Sequence, residues 1–377
     1  MSEDHRRERH RCLPVMAIWG MLRLTRCADT YFSIRPETSM DSKNKKLNIN
    51  EIARLAGVSK KSVSRVLNRQ KGVSEATREH VKRIMDEVGY QPSRQARALA
   101  SDQSFLLGLA YNNPNPSYVL DLLNGSQLAA NRLGYEVVMH RMSSGDRSVE
   151  EIISFMRRSG CDGLILTPPL SESASIVAKL CDEEWPVVRI AGDNADFPMP
   201  QIRYNDRTAA LKITTQLVAN GHSAIAFIGG PKSAGPTLRR LAGVRDAMAL
   251  HDSTLDDVLT VFGDFTFESG KQCAELLLSM ETRPTAIICA NDEMAAGVFQ
   301  VAAAHGLAIP RDLSVTGFDN SPVASHLWPP LTSVRQPVQE MTALAVDLLV
   351  NANDRAEMIE QFEAQVVLRE STSTPRN

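Results

Sequence analysis

The 377-residue sequence lacks the features of membrane, disulfide-bonded and metal-dependent proteins. No apolar run reaches the roughly 18 residues that a membrane span requires. The six cysteines, at positions 12, 27, 161, 181, 273 and 289, form no C-x-x-C pair and follow no regular spacing. In a chain of this length such cysteines are expected to be reduced thiols. We therefore expect a cytoplasmic protein with no membrane partner, no cofactor and no metal.

Enzyme signatures are also missing from the sequence. It contains no H-E-x-x-H, no G-x-S-x-G, no Walker loop and no glycine-rich dinucleotide turn with its acidic partner. The glycines of I-G-G-P-K-S-A-G-P, residues 228–236, are not followed by the Lys-Ser/Thr that a phosphate loop needs. An enzyme built on this chain is thus disfavoured.

Charge is divided unevenly along the chain, although the formal net charge is only −2. Residues 43–100 carry 14 Lys and Arg against 5 Asp and Glu, whereas residues 101–377 carry 21 against 33. A basic module joined to an acidic body confines the interaction with nucleic acid to one end of the chain.

The basic module predicts three short helices, Ile49–Ala56, Lys60–Asn68 and Glu75–Val88. Ser59 and Ser74 stand where they can cap the second and third helices. Two helices joined by a short turn containing glycine are typical of a helix-turn-helix, whose second helix enters the DNA major groove.

The second predicted helix has one apolar face, formed by Val63, Val66 and Leu67, and one polar face without acids. A basic face of this kind can be merely solvated, but its side chains can also donate to phosphates or read base edges. The polar face consists of Lys60, Lys61, Ser62, Ser64, Arg65 and Asn68.

The segments A-G-V-S-K-K-S-V-S-R-V-L-N, V-S-E-A-T-R-E-H-V and G-Y-Q-P-S-R-Q-A-R-A-L-A-S resemble, in order and spacing, the DNA-binding headpiece of the LacI/GalR family of bacterial transcriptional regulators. The resemblance implies a headpiece closed by Tyr90 and Pro92, then a hinge helix that orders on operator DNA. It places Leu99 where the family inserts a leucine into the minor groove, a wedge that kinks the duplex. The implied hinge contacts with DNA are Arg94, Ala96 and Leu99.

From residue 105 onward, short apolar runs alternate with amphipathic helices through two successive halves. Such alternation predicts an α/β fold with parallel sheets and right-handed crossovers. It matches the two-lobed, periplasmic-binding-protein-like body that the resemblance implies, with ligands bound at the carboxyl ends of the strands.

The predicted boundaries follow from these patterns. Residues 1–42 are expected to be a disordered extension or an upstream start assigned in error. The headpiece covers 43–92, the hinge helix 93–103 and the body 104–372. Lobe 1 takes about 104–203 plus 335–361, and lobe 2 about 204–332 plus 362–371.

Polar residues that end the apolar strands are the predicted effector site. The resemblance assigns ligand contacts to Asn291, Asp319 and Arg240, and an aromatic stacking role to Phe265. The alternatives are helix capping for the Asn-Asp pair at 291–292, a surface ion pair for the arginine and ordinary core packing for the phenylalanine.

Two further segments of the predicted site are less regular. Relatives commonly carry Asp-Asn where this chain has Asn205-Asp206, so we expect an amide to replace a ligand-facing carboxylate there. The loop after the first strand adds Asn115, Ser117 and Tyr118.

Together these features predict a homodimeric, DNA-binding transcriptional regulator at the bacterial nucleoid. It is expected to be a repressor that binds double-stranded operator DNA under the control of a sugar or sugar phosphate. The alternative is a corepressor-dependent regulator that responds to a purine or nucleoside. A solute-binding module is disfavoured by the helix-turn-helix, and the sequence leaves open whether the ligand releases or promotes DNA binding.

Overall fold

The structure, a computed structural model, describes residues 47–67, 71–90, 98, 101, 103–143, 148–190, 197, 199–250, 259–351 and 359–376. The predicted extension, 1–42, lies outside them. Of the predicted hinge helix, 93–103, only Ala98, Ser101 and Gln103 are described, and the first two have helical backbone. The domain limits at these segments therefore stay predictions.

Three helices form the headpiece: α1 (Ile49–Leu55), α2 (Lys60–Leu67) and α3 (Glu75–Glu87). Ser59 and Ser74 cap α2 and α3, because their hydroxyls accept from the backbone N–H of Ser62 at 3.0 Å and of Thr77 at 3.3 Å. The small core between the helices is formed by Ile52, Ala53, Ala56, Val63, Val66, Val81 and Tyr90.

Lobe 1 begins with five strands and three helices. The strands are β1 (Leu106–Tyr111), β2 (Glu136–Arg141), β3 (Gly163–Leu166), β4 (Val187–Ile190) and β5 (Gln201–Tyr204). The helices are α4 (Pro116–Leu133), α5 (Ser148–Ser159) and α6 (Ala174–Asp182), with a 3-10 turn at Leu170–Glu172 before α6.

Lobe 2 has four strands, β6 (Ile225–Gly229), β7 (Thr260–Phe262), β8 (Ala286–Cys289) and β9 (Ser314–Thr316). Its helices are α7 (Asp206–Ala219), α8 (Gly235–Leu250), α9 (Phe267–Leu278), α10 (Asp292–Ala304) and α11 (Pro322–His326). The four strands are parallel in the order β7-β6-β8-β9, with β6 and β8 fully buried.

The chain then returns to lobe 1. After β10 (Ser333–Arg335) come α12 (Val338–Asn351), β11 (Ile359–Phe362) and β12 (Gln365–Val367). Helix α12 packs on α4 so closely that a methyl group on Gly125 would overlap the backbone of Gln339. Strand β11 completes a six-stranded parallel sheet in the order β11-β5-β4-β3-β1-β2, and β12 pairs antiparallel with β10.

The predicted fold class is confirmed, but some details differ. Strand β5 was not predicted. The strand predicted for 362–370 is shorter, Gln365–Val367, and Phe362 instead ends β11 of the lobe 1 sheet, so it lies in lobe 1 rather than lobe 2. The helix predicted for 171–181 is a 3-10 turn followed by α6, because Ser173 has extended backbone and caps α6. These are short or interrupted elements, for which periodicity is a weak signal.

Candidate functional site

A cavity of about 280 Å³ lies between the two lobes, at the carboxyl ends of the strands. Loops after β1 and β3 line it from lobe 1, and loops after β6, β7, β8 and β9 line it from lobe 2. This is the place where open α/β sheets bind ligands. The cavity is lined by Asn112–Asn115, Tyr118, Pro168, Pro169, Tyr204, Pro231, Ser233, Ala234, Pro236, Arg240, Asp264, Phe265, Asn291, Asp319 and Gln336.

Arg240 of α8 is the buried cation of the cavity, with 4% of its surface exposed. Its Nε donates to Asp206 Oδ1 at 2.8 Å, one Nη donates to the Tyr204 hydroxyl at 2.7 Å, and the other Nη donates to the carbonyl of Ala290. The guanidinium also lies 3.8 Å from the centre of the Phe318 ring. Although burial lowers its pKa, Tyr204 and the nearby carboxylates leave the pKa of Arg240 raised, so the group stays charged.

Asp206 anchors a second arginine beside the first. Its Oδ2 accepts from Arg239 Nε at 3.1 Å, and its Oδ1 accepts from the Tyr204 hydroxyl at 2.8 Å. Arg239 reaches on to Glu172 Oε1 in lobe 1, 2.9 Å from its Nη2. A buried carboxylate held by two arginines and a phenol fixes the position of each arginine.

Asp319 links the two lobes across the cavity. Asp319 follows β9 and has a φ of 107°, a backbone conformation that residues other than glycine rarely adopt. Its Oδ2 accepts from Asn115 Nδ2 of lobe 1 at 2.7 Å, and its Oδ1 accepts from Gln336 Nε2. Burial raises the pKa of the Asp319 carboxyl, while Arg240 opposes that shift.

Asp292 lies below the cavity floor and is fully buried. Its carboxylate accepts from the Ser333 hydroxyl at 2.6 Å and from the Ser321 N–H at 2.7 Å. Burial raises its pKa to about 6, against the effect of these hydrogen bonds. Asp292 therefore supports the loop of Asp319 rather than capping α10.

Asn291 caps α10 and also lines the cavity. Its Oδ1 accepts from the Met294 N–H at 2.9 Å, and its Nδ2 donates to the Phe265 carbonyl at 2.8 Å. Phe265 has φ 67°, and its ring lies against Gly230 so closely that any side chain there would overlap it. The Phe265 ring therefore lines the cavity beside Gly230.

Six of the eight predicted effector residues line the cavity, and two do not. Those lining it are Asn115, Tyr118, Arg240, Phe265, Asn291 and Asp319. Ser117 is half-buried and is not in the lining; its backbone N–H donates to Asn115 Oδ1 at 3.0 Å. Asn205 is exposed and caps α7 by accepting from the Thr208 N–H at 2.9 Å.

The expectation of an amide in place of a ligand-facing carboxylate stays a prediction, but Asn205 is not in the cavity lining and the next residue, Asp206, supplies a carboxylate to Arg240. Sequence reasoning also missed Tyr204, Glu172, Arg239 and Gln336. The doubled arginine of L-R-R-L-A-G was the one available signal, since two cations at a helix start require acidic partners when they are buried.

The polar face of α2 is open to solvent. Lys60 and Lys61 are exposed, while Ser62, Ser64 and Arg65 are half-buried above the core residues Val63 and Val66. The other predicted DNA contacts, Asn68, Arg94, Ala96 and Leu99, lie outside the described residues.

The described part of the chain offers neither a metal site nor a membrane-spanning helix. Within it, no cluster of three or more His, Cys, Asp or Glu side chains could hold a metal ion. No described helix is long and apolar enough to cross a membrane.

Comparisons with known proteins support both parts of the chain. Residues 48–93 match the model of bacterial regulatory proteins, lacI family, and residues 214–372 match that of the periplasmic binding protein-like domain. The ribose operon repressor of Escherichia coli K12 is 32% identical over 303 residues, which cover 80% of this chain and 91% of the repressor. The chain belongs to the LacI family of bacterial regulatory proteins.

Solved structures of LacI-family members share the whole architecture. The lac repressor dimer bound to operator and the anti-inducer ONPF aligns with a TM-score of 0.72 at 28% identity, over 87% of this chain and 100% of the other. A complex of the transcriptional regulator CelR with cellobiose aligns with a TM-score of 0.66 at 28% identity, over 86% and 99%. The resemblance predicted from the headpiece segments is thus confirmed, and the chain is a DNA-binding transcriptional regulator.

Proposed function

We propose that this LacI-family chain is a homodimeric repressor whose affinity for operator DNA is controlled by a sugar bound between the lobes. The observation that carries the proposal is the cavity built around Arg240, Asp319 and Asn291. Its position at the strand ends is where α/β lobes bind ligands, and its volume of about 280 Å³ suits a small molecule. Two relatives named for a sugar, the ribose operon repressor and the CelR–cellobiose complex, support the class of effector.

The cavity side chains suit a molecule that carries several hydroxyl groups. Arg240 and the amides of Asn115 and Gln336 donate, whereas the Asp319 carboxylate accepts. Phe265 offers an apolar ring face for the C–H side of a pyranose or furanose. A polyol with one apolar face can therefore pair with the polar side chains of the lining and pack against Phe265.

Control of DNA binding follows from the contacts between the lobes. The Asn115–Asp319 and Glu172–Arg239 contacts join lobe 1 to lobe 2 across the cavity. A ligand that replaces the first contact with its own hydroxyls changes the free energy of the closed arrangement. Typical allosteric couplings of about 1–3 kcal/mol are enough to change operator occupancy about 5–150-fold.

The DNA contacts are assigned to the polar face of α2 and to the hinge. Lys60, Lys61, Ser62, Ser64, Arg65 and Asn68 are proposed to contact the major groove or its phosphates, and Arg94, Ala96 and Leu99 the minor groove. The proposal includes a cytoplasmic site of action at the nucleoid, two half-sites per dimer and no enzymatic activity.

A gel shift on the DNA upstream of the native gene tests the proposal, with and without a panel of sugars and nucleosides. Retardation that weakens steeply with salt and is relieved by one sugar is the expected result. Tightening by a purine or nucleoside would favour the corepressor-dependent alternative. Failure to retard any upstream fragment would contradict the proposal.

A further inference from the structure

Three helices direct their N-termini toward the cavity, and each N-terminus is already occupied by a protein oxygen. Asn115 Oδ1 accepts from the N–H of Ser117 at 3.0 Å on α4, and Asn291 Oδ1 accepts from the N–H of Met294 at 2.9 Å on α10. On α8 the acceptor is Glu172, which takes the N–H of Gly235. Helix N-termini are the backbone sites that bind phosphate groups most readily, and at each of these three a protein oxygen already accepts from at least one of the N–H groups.

The cations at the cavity are matched by acids. Among the described residues that line it, Arg240 is the one cation, and Asp206 lies 2.8 Å from its Nε. Arg239, just outside the lining, is held between Asp206 and Glu172. Asp264 and Asp319 add two carboxyl groups to the lining itself. A phosphate placed among these described lining residues would meet two carboxyl groups, and the one lining cation, Arg240, is already paired with Asp206.

Glu172 is the acid that completes this arrangement. It comes from the 3-10 turn of lobe 1, yet its carboxylate lies between Arg239 and the start of α8 in lobe 2. Its side chain is only 15% exposed. The carboxylate fits there because residue 235 is glycine, and a methyl group at that position would overlap it. An arginine beside a helix N-terminus is a favourable site for a ligand phosphate. The Glu172 carboxylate already occupies that site, next to Arg239 and the start of α8.

We infer that the cavity binds an uncharged, polyhydroxylated ligand, and that Glu172 is the specificity-determining residue that excludes the phosphorylated form. The inference rests on the proposed function and narrows its effector class from sugars and sugar phosphates to unphosphorylated sugars. The Glu172 carboxylate would exclude a phosphate in two ways: it already lies 2.9 Å from Arg239 Nη2 and accepts from the Gly235 N–H, and it repels a second anion.

The test uses the full-length protein and inorganic phosphate as a probe, at constant ionic strength. Isothermal titration calorimetry of the wild type should detect only weak phosphate binding. Glu172→Ala empties the site, so phosphate should bind to this variant at least tenfold more tightly than to the wild type.

Glu172→Gln retains an acceptor for the Gly235 N–H, so its phosphate affinity should lie between those of the wild type and Glu172→Ala. This variant replaces Glu172→Ala if the alanine variant does not fold. Glu183→Gln removes a lobe 1 carboxylate paired with Arg157 and Lys179, and should behave as the wild type.

Pairs of probes then test the ligand class directly: ribose with ribose 5-phosphate, and glucose with glucose 6-phosphate. The inference is overturned if the wild type binds a sugar phosphate as tightly as its parent sugar or more tightly. Equal phosphate affinity of the wild type and Glu172→Ala would overturn it as well. Absence of binding by every sugar and sugar phosphate would count against the proposed function instead, while the phosphate comparison would still decide the role of Glu172.

Discussion

The headpiece and the cavity of the body use charge in opposite ways. On α2 the basic side chains stand at the surface, with Lys60 and Lys61 exposed to solvent. In the body, Arg240 and Asp206 are 4% and 1% exposed and lie 2.8 Å apart. Exposed charges are screened by salt, whereas buried pairs are screened much less. One region is therefore suited to a polyanion whose binding depends on salt, and the other to a small ligand whose binding hardly does.

The same comparison extends to what each region loses when a charge is removed. A surface lysine leaves no buried partner behind, so its loss affects binding and not folding. A buried arginine leaves a carboxylate without compensation, so its loss affects both. Four substitutions test this difference, in order of decreasing expected effect.

Arg240→Ala should have the largest effect, because it leaves Asp206 buried without its closest cation. We expect the free energy of unfolding to fall by about 3–5 kcal/mol, as measured by urea denaturation, and any effector response to be lost. Arg207→Ala is the control, since Arg207 is exposed and its partner on the next helix, Asp246, is only half-buried. Equal decreases in the free energy of unfolding for Arg240→Ala and Arg207→Ala would contradict this difference between buried and surface charges.

Arg65→Ala should weaken operator binding by about 1–3 kcal/mol without changing the unfolding midpoint. Loss of a phosphate contact would also lower the slope of affinity against salt by about one. Fluorescence anisotropy at several salt concentrations measures both quantities. The matched control is Lys212→Ala on α7, an exposed cation of the body. A headpiece that unfolds on losing Arg65 would contradict the assignment of this side chain to DNA.

Asp292 should give the body a pH dependence near neutrality. Its pKa is raised to about 6 in the folded state from 3.8, so the folded protein binds the proton more tightly than the unfolded chain. The resulting stability is present at low pH and is lost as pH rises through about 6. Between pH 7.5 and pH 5, the wild type should gain about 1.4 kcal/mol relative to Asp292→Asn in urea denaturation. A difference between the two proteins that is the same at both pH values would show that Asp292 does not titrate in this range.

Asn205→Ala should have the smallest effect. It removes the cap of α7 and should cost about 0.5–1 kcal/mol of stability, while the affinity for the effector stays unchanged. Asn115→Ala is the matched comparison, because Asn115 also caps a helix but lines the cavity and binds Asp319. Calorimetry with the effector found in the gel shift should separate the two. Equal losses of affinity would restore Asn205 to the site.

Local sequence signals were enough to predict the order of the elements and the kind of protein. The caps at Ser59 and Ser74 and the apolar periodicity of α1 to α3 are local signals, and they define the headpiece within a residue or two at each helix end. The alternation of apolar runs and amphipathic helices likewise predicted the two α/β lobes. The residues after β8 and β9 were correctly placed at the cavity because parallel strands bring their carboxyl ends to one edge.

Which polar groups meet depends on the packing of distant segments, and it could not be predicted from local patterns. Asn205 and Asp206 are adjacent in sequence, but the side chain of one is in solvent and that of the other is buried between two arginines. Glu172 is more than 60 residues away from Gly235 and Arg239 and carries no motif. Contacts across the cavity depend on how the two lobes pack. They require a side chain such as Glu172 to reach a partner of opposite charge, and a small residue such as Gly235 to leave room for it. Those are long-range conditions, and no local pattern encodes them.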